Sequence, residues 1–245
     1  MKSNNIHEVV KDWYFKDVSN KLSSQTSRVI DLMYNNEEAP MQIHTFGDSW
    51  TYGEGVEQTD TFTHQLGNLI KVGDEKKDIS VWNHGARGVG IDYIVKKVSE
   101  VYQKYNFNNS IYVITMPHMG RRLWFDNEGK PRTKKAWENE HRKGWLQYIS
   151  GETAGNEYNR YFYFFHQYML LNRLIGTEKI IWGTWGQHEQ AKSDVPDELV
   201  DVKFDCIDYV SLTDTHPGKD SHKLYASKIA NILKQGKNEQ NNEIK

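Results

Sequence analysis

Cysteine is nearly absent: Cys206 is the single one in 245 residues, so no internal disulfide can form and the chain fits a reducing compartment. Cys206 itself, in the run KFDCIDYV, reads as a buried inert thiol. An excess of charge is lacking too. With 31 Lys and Arg against 33 Asp and Glu, there is no electrostatic footprint for nucleic acid or an anionic membrane. No stretch approaches the ~20 consecutive apolar residues that span a bilayer, and the opening MKSNNIHEVVKDWYF has neither the apolar core nor the small-residue cleavage site of a secretory signal. These absences predict a soluble, cytoplasmic chain with no membrane span and no nucleic-acid partner, and they leave the oligomeric state open. Several catalytic devices are also missing. There is no G-x-x-x-x-G-K-[ST] phosphate loop, no G-x-S-x-G elbow, no H-E-x-x-H and no C-x-x-C pair, and the glycines of GARGVG stand in the wrong order for a dinucleotide fingerprint.

What is present is an alternation. The short apolar runs MQIHTF, DISVWN, SIYVIT and KIIWGTW are separated by segments of helical period, which predicts a parallel sheet with crossover helices, an α/β class. Phe62, Leu66, Leu69 and Ile70 recur at i, i+4, i+7 and i+8. Ile91, Ile94, Val95, Val98, Val101 and Tyr102 follow i, i+3, i+4, i+7, i+10 and i+11, and both sets predict a helix with one apolar face. In NEYNRYFYFFHQYMLLNRLIG a stripe of Tyr158, Tyr161, Phe162, Phe165, Tyr168 and Met169 predicts a third helix facing the core and ending at Gly176. A last helix follows a predicted Ser221 cap, with Tyr225, Ile229, Ile232 and Leu233 inward.

The chain divides accordingly. Residues 1–40, with scattered apolar positions from Val9 to Leu32, form an N-terminal helical extension expected to pack on the core. Residues 41–235 form one domain, and 236–245 are a disordered tail. Residues 116–156 break the rhythm and are predicted to be an insertion, whose Trp124, Trp137 and Trp145 either line a substrate groove or pin the insertion to the body.

Three segments carry chemistry. Gly47-Asp48-Ser49 follows the first strand, NHGARGVG follows the second, and DTHPGKDSH precedes the last helix. Loops that follow the strands of a parallel sheet emerge on one edge, where ligands of open α/β folds bind. A nucleophile, backbone donors and an acid-base pair can meet there. A serine hydroxyl is a poor nucleophile until an imidazole accepts its proton, the imidazole needs a carboxylate to fix its tautomer, and the resulting oxyanion needs preorganised donors. The remaining histidines, His44, His64, His84, His166 and His188 among them, read as structural or exposed. Metal binding by Asp214, His216, Asp220 and His222 would need a clustering that the intervening turn does not provide for.

These segments resemble the motifs of the SGNH (GDSL-type) hydrolases. FGDSWTYGEG looks like the first motif, NHGARG like the second and DTHPGKDSHKLYA like the last, in order over about residues 41 to 233. The resemblance implies a three-layer α/β/α, flavodoxin-like fold, a triad of Ser49, Asp214 and His216, and an oxyanion hole with the Gly88 N–H beside that of Ser49. It departs at the third motif. Where the family usually has Gly-x-Asn-Asp, this chain reads VITMPHMGRR, so Thr115, His118 or Arg121 would have to replace the asparagine, or the hole has two donors only. Asp214 also stands two residues before His216, where many members place it three before.

The expected function is that of a serine esterase cleaving a short-chain acyl ester through an acyl-enzyme, without a cofactor. The substrate is a small-molecule or carbohydrate ester, and the aromatic content favours sugar. An O-acyltransferase would differ only in the hydroxyl that takes the acyl group. A non-catalytic carbohydrate- or ligand-binding module on the same fold is the rival from another class, with the missing asparagine as its support.

Overall fold

The computed structural model describes residues 39, 41–70, 79–104, 110–117, 124–125, 131–132, 157–186 and 195–235. The N-terminal extension, the C-terminal tail and most of the insertion therefore lie outside the described residues. Seven strands occur among them: β1 (Met41–Phe46), β2 (Ile79–Asn83), β3 (Ser110–Met116), β4 (Trp124–Phe125), β5 (Pro131–Arg132), β6 (Ile180–Trp185) and β7 (Val202–Phe204). The helices are α1 (Ser49–Tyr52), α2 (Phe62–Ile70), α3 (Ile91–Lys104), α4 (Glu157–Ile175) and α5 (Lys219–Gln235).

Five strands form one sheet in the order β2-β1-β3-β6-β7, and every pair is parallel. With the β4-β5 hairpin of the insertion set aside, this is the 2-1-3-4-5 order of a flavodoxin-like sheet. The strands read as almost continuous apolar runs because both of their faces are covered. On β3, Val113 faces one layer while Tyr112, Ile114 and Met116 face the other. The first layer contains α2 and α5, with Phe62, Leu66, Tyr225 and Ile229 fully buried. The second contains α3 and α4, with Ile94, Val98 and Leu171 equally buried. The result is a three-layer α/β/α sandwich.

Two expectations need correction. On α4 the predicted core stripe is correct at Tyr168, which packs on Trp182 with ring centroids 4.6 Å apart, and wrong at Phe162, Phe165 and Met169, which are 72%, 49% and 51% exposed, whereas Phe164, Leu171 and Ile175 are buried. Tyr158 and Tyr161 lie among the positions whose side chains are not described. The helix is aromatic and apolar almost all round, so periodicity fits both faces and cannot choose between them. At α5 the cap is not Ser221, which sits inside the first turn of a helix that begins at Lys219. The carboxylate of Asp208 instead accepts the N–H groups of Asp220 (3.0 Å) and Ser221 (2.7 Å). Burial raises the Asp208 pKa, but the Ser221 hydroxyl and these two N–H groups outweigh it and hold the carboxyl below its usual range. A carboxylate at a helix start also meets the positive end of the dipole.

Candidate active site

At the C-terminal end of β1 the chain leaves the sheet at Gly47 and enters the single turn α1. Asp48 caps it, its Oδ1 accepting the Trp50 N–H at 3.1 Å. Ser49 is thereby the first residue of a short turn at the sheet rim, and its carbonyl accepts the N–H groups of Gly53 and Glu54, both at 3.0 Å. The indole of Trp50 stacks on Trp185 beneath, ring centroids 4.7 Å apart, which anchors the turn to the end of β6.

The turn after β2 is bound to this one. The His84 N–H donates to the Thr45 carbonyl (2.8 Å) and the Ala86 N–H to the Gly47 carbonyl (3.1 Å). Asn83 holds the two turns together, its Nδ2 donating to the Thr51 carbonyl (2.9 Å) while its Oδ1 accepts the Gly85 N–H (2.8 Å). Gly85 lies so close to α1 that a Cβ there would stand 2.7 Å from the Thr51 carbonyl carbon, which is why no side chain is possible. Gly88 differs. Its φ is +65°, a left-handed conformation that favours glycine, and a Cβ there would meet nothing within 4 Å.

The third segment is the loop between β7 and α5. It folds back on itself, with the Val210 N–H donating to the His216 carbonyl (3.0 Å) and the Ser211 N–H to that of Asp214 (3.2 Å). Inside this loop Asp214 Oδ1 accepts both the backbone N–H of His216 (3.1 Å) and its ring Nδ1–H (2.6 Å). The spacing of two residues therefore suffices, because one carboxylate oxygen serves backbone and ring together. Chiefly because of the ring hydrogen bond, the Asp214 carboxyl titrates below its usual range. The other ring nitrogen, Nε2, lies 3.1 Å from Ser49 Oγ. Carboxylate, imidazole and hydroxyl thus stand in one hydrogen-bonded line. Such a line can move a proton from the hydroxyl to the ring while the carboxylate holds the tautomer.

Two neighbours of this line went unread in the sequence. Glu54 Oε2 is 3.4 Å from His216 Nε2, and its Oε1 is 3.4 Å from Arg87 Nε. The Arg87 guanidinium lies 4.8 Å over the Tyr52 ring. The signal for Glu54 was a carboxylate set between two glycines directly after the turn that carries Ser49. Asn83 was legible only as part of the second motif.

Of the remaining predicted site residues, His118 and Arg121 lie outside the described residues. Thr115 is buried, and its hydroxyl is paired with that of Tyr225 at 2.9 Å. His222, in the first turn of α5, is wholly buried, its Nδ1 accepting the Phe62 N–H at 3.1 Å, and burial lowers its pKa to about 4. Cys206 is half-buried, donates to the Asp208 carbonyl (3.2 Å), and its thiol is pushed up to about 11 by burial, which leaves it unreactive. Among the described residues no three His, Cys, Asp or Glu side chains cluster as a metal site requires. No described helix is long and apolar enough to cross a membrane.

No protein-family model matches the sequence, and no curated protein matches it significantly. Solved structures do. One is a member of the lipolytic protein G-D-S-L family from Veillonella parvula DSM 2008, with 13% identity, 79% of this chain and 98% of that chain covered, and a TM-score of 0.46. Another is the acetyl xylan esterase Est2A from the rumen bacterium Butyrivibrio proteoclasticus, with 13% identity, 80% and 64% coverage, and a TM-score of 0.41. At 13% identity the likeness is one of fold.

Proposed function

We propose that the chain is a serine esterase that cleaves a short-chain acyl ester through an acyl-enzyme. One observation carries the reading: Asp214 Oδ1, His216 Nδ1, His216 Nε2 and Ser49 Oγ follow one another at 2.6 Å and 3.1 Å on the edge of a parallel sheet where ligands of this architecture bind. In the proposed reaction Ser49 Oγ attacks the ester carbonyl carbon as its proton passes to His216 Nε2, and Asp214 stabilises the imidazolium. The backbone N–H groups of Ser49 and Gly88 take the oxyanion. His216 then protonates the departing alcohol oxygen and the acyl group remains on Ser49. A water molecule then gives its proton to the same nitrogen and attacks the acyl carbon, the bond from that carbon to Ser49 Oγ breaks as His216 returns the proton to Oγ, and the acid is released. A hydroxyl compound in place of water would make the same machinery an acyltransferase.

His118 and Arg121, just beyond the end of β3, are the side chains proposed to serve where the family has asparagine. Alanine at the residue that does so should lower turnover about a hundredfold with little change in binding. The preference for short acyl groups follows from the polar and glycine-rich turns around Ser49, and a maximum at eight carbons or more would contradict it. The direct test is turnover of p-nitrophenyl acetate by native protein and Ser49→Ala. A loss of roughly 10⁴ to 10⁶ is expected. Equal turnover would end serine chemistry at this site, and a folded native protein without turnover would favour a ligand-binding module.

A further inference from the structure

Glu54 and Arg87 do nothing in the mechanism above, yet they stand against its central atom. The Glu54 N–H is bound to the Ser49 carbonyl at 3.0 Å, so the carboxylate is mounted on the nucleophile turn. Its Oε2 lies 3.4 Å from His216 Nε2, the nitrogen that meets Ser49 Oγ at 3.1 Å. Arg87 immediately precedes Gly88, and its guanidinium rests on the Tyr52 ring. The ion pair therefore bridges the two turns that carry Ser49 and Gly88. Its Arg87 side chain is 49% exposed and its Glu54 side chain 26%, so both keep hydrogen-bonding capacity toward an incoming molecule.

The chemistry of ester cleavage fixes where the alcohol must be. Its oxygen exchanges a proton with His216 Nε2, so it sits within hydrogen-bond distance of that nitrogen. A hydroxyl on the next carbon of the same alcohol then comes within reach of Glu54 Oε2. An ionised carboxylate only accepts hydrogen bonds and a guanidinium only donates them. Together they suit an alcohol with several hydroxyls, each of which does both. A simple alkyl alcohol gives the carboxylate nothing and takes water away from it, which is unfavourable. We infer that Glu54 and Arg87 form the subsite for the alcohol half of the substrate and select esters of a polyol or sugar over esters of simple alkyl alcohols. The inference rests on Ser49 being the nucleophile of an ester hydrolase.

Two esters with the same acyl group test it: ethyl acetate and glyceryl monoacetate, compared by kcat/KM for native protein, Glu54→Gln, Arg87→Met and Ser49→Ala. Both esters are read in one preparation, so a misfolded fraction cancels in the ratio. The native protein should favour glyceryl monoacetate by about tenfold or more, and each of the two rim variants should lower that preference about tenfold, the value of one hydrogen bond to a charged group. An ion pair that merely joins the two turns would move both rates together. A native protein without the preference, or a ratio unchanged in both variants, overturns the subsite. Activity that survives Ser49→Ala, or native protein inert toward both esters, overturns the hydrolase reading instead.

Discussion

His216 and His222 belong to one short motif, DTHPGKDSH, and the fold gives them opposite environments. His216 lies in the loop before α5, half-exposed, with a carboxylate on one ring nitrogen and a serine hydroxyl on the other. His222 lies in the first turn of α5, fully buried between the helix and Phe62, with the Phe62 N–H on its Nδ1 and its charged form disfavoured by burial. Residue type and local sequence are nearly the same. What separates a group able to take a proton from one that cannot is access to water and a carboxylate within bonding distance.

The comparison breaks most sharply in turnover. His216→Ala should lose roughly 10⁴ to 10⁶ in kcat on p-nitrophenyl acetate, while His222→Ala keeps most of it at a temperature where the variant is folded. A dead His222→Ala beside an active His216→Ala would reverse the assignment. Asp214→Asn should cost roughly 10⁴, because the amide cannot hold the tautomer that presents a free Nε2 to Ser49. A loss under tenfold would mean that the backbone alone orients the ring.

Stability should show the opposite ranking. His222→Ala leaves the Phe62 N–H without its acceptor and opens a cavity, at a cost of about 2 to 5 kcal/mol, measurable by urea unfolding, whereas His216→Ala should cost under about 1 kcal/mol. The same burial makes stability depend on pH. The pKa of His222 is lowered from 6.5 to about 4 in the folded chain, so between those values the unfolded chain binds a proton that the folded chain does not. Its contribution is complete above pH 6.5 and is lost as pH falls toward 4, at about 1.4 kcal/mol per pH unit. His44, lowered to about 3 by burial in the other layer, adds to the same trend. In His222→Gln the fall between pH 6.5 and 4 should be shallower by about one proton, and an unchanged slope would refute the buried neutral ring. Smaller again is the contrast between two glycines. Gly88→Ala should cost about 1 kcal/mol for its left-handed φ in open space, and Gly85→Ala more, since it drives a Cβ into the backbone of α1.

The sheet was legible because a parallel strand covered on both faces is a run of apolar residues. MQIHTF, SIYVIT and KIIWGTW correspond to β1, β3 and β6 within a residue. β7 was not, since three residues with a lysine at the centre carry no period. The face of α4 was misread for the reason that its apolar residues run round the whole helix. At the candidate site, the meeting of Ser49, Asp214 and His216 in one hydrogen-bonded line could be anticipated from their motifs and their place after strands. Glu54 and Arg87 could not. Their relation to His216 depends on how closely the two turns approach, and that distance is set by Asn83 and Gly85 rather than by any spacing along the chain. The burial of His222 was not legible either, because a first-turn histidine has no neighbour in the sequence to bury it. Phe62, which does so, lies far away in the chain.

The most direct measurement is labelling by a fluorophosphonate probe, with the modified residue located by mass spectrometry in native protein, His216→Ala and His222→Ala. Phosphonylation forms the bond from Ser49 Oγ to phosphorus and expels fluoride as His216 takes the proton, so it reads nucleophile activation without any assumption about substrate. The account predicts a single adduct on Ser49 in the native protein and in folded His222→Ala, and labelling slowed at least about a thousandfold in His216→Ala. Folded native protein with no adduct on Ser49, or an adduct that forms as fast without His216, would contradict it.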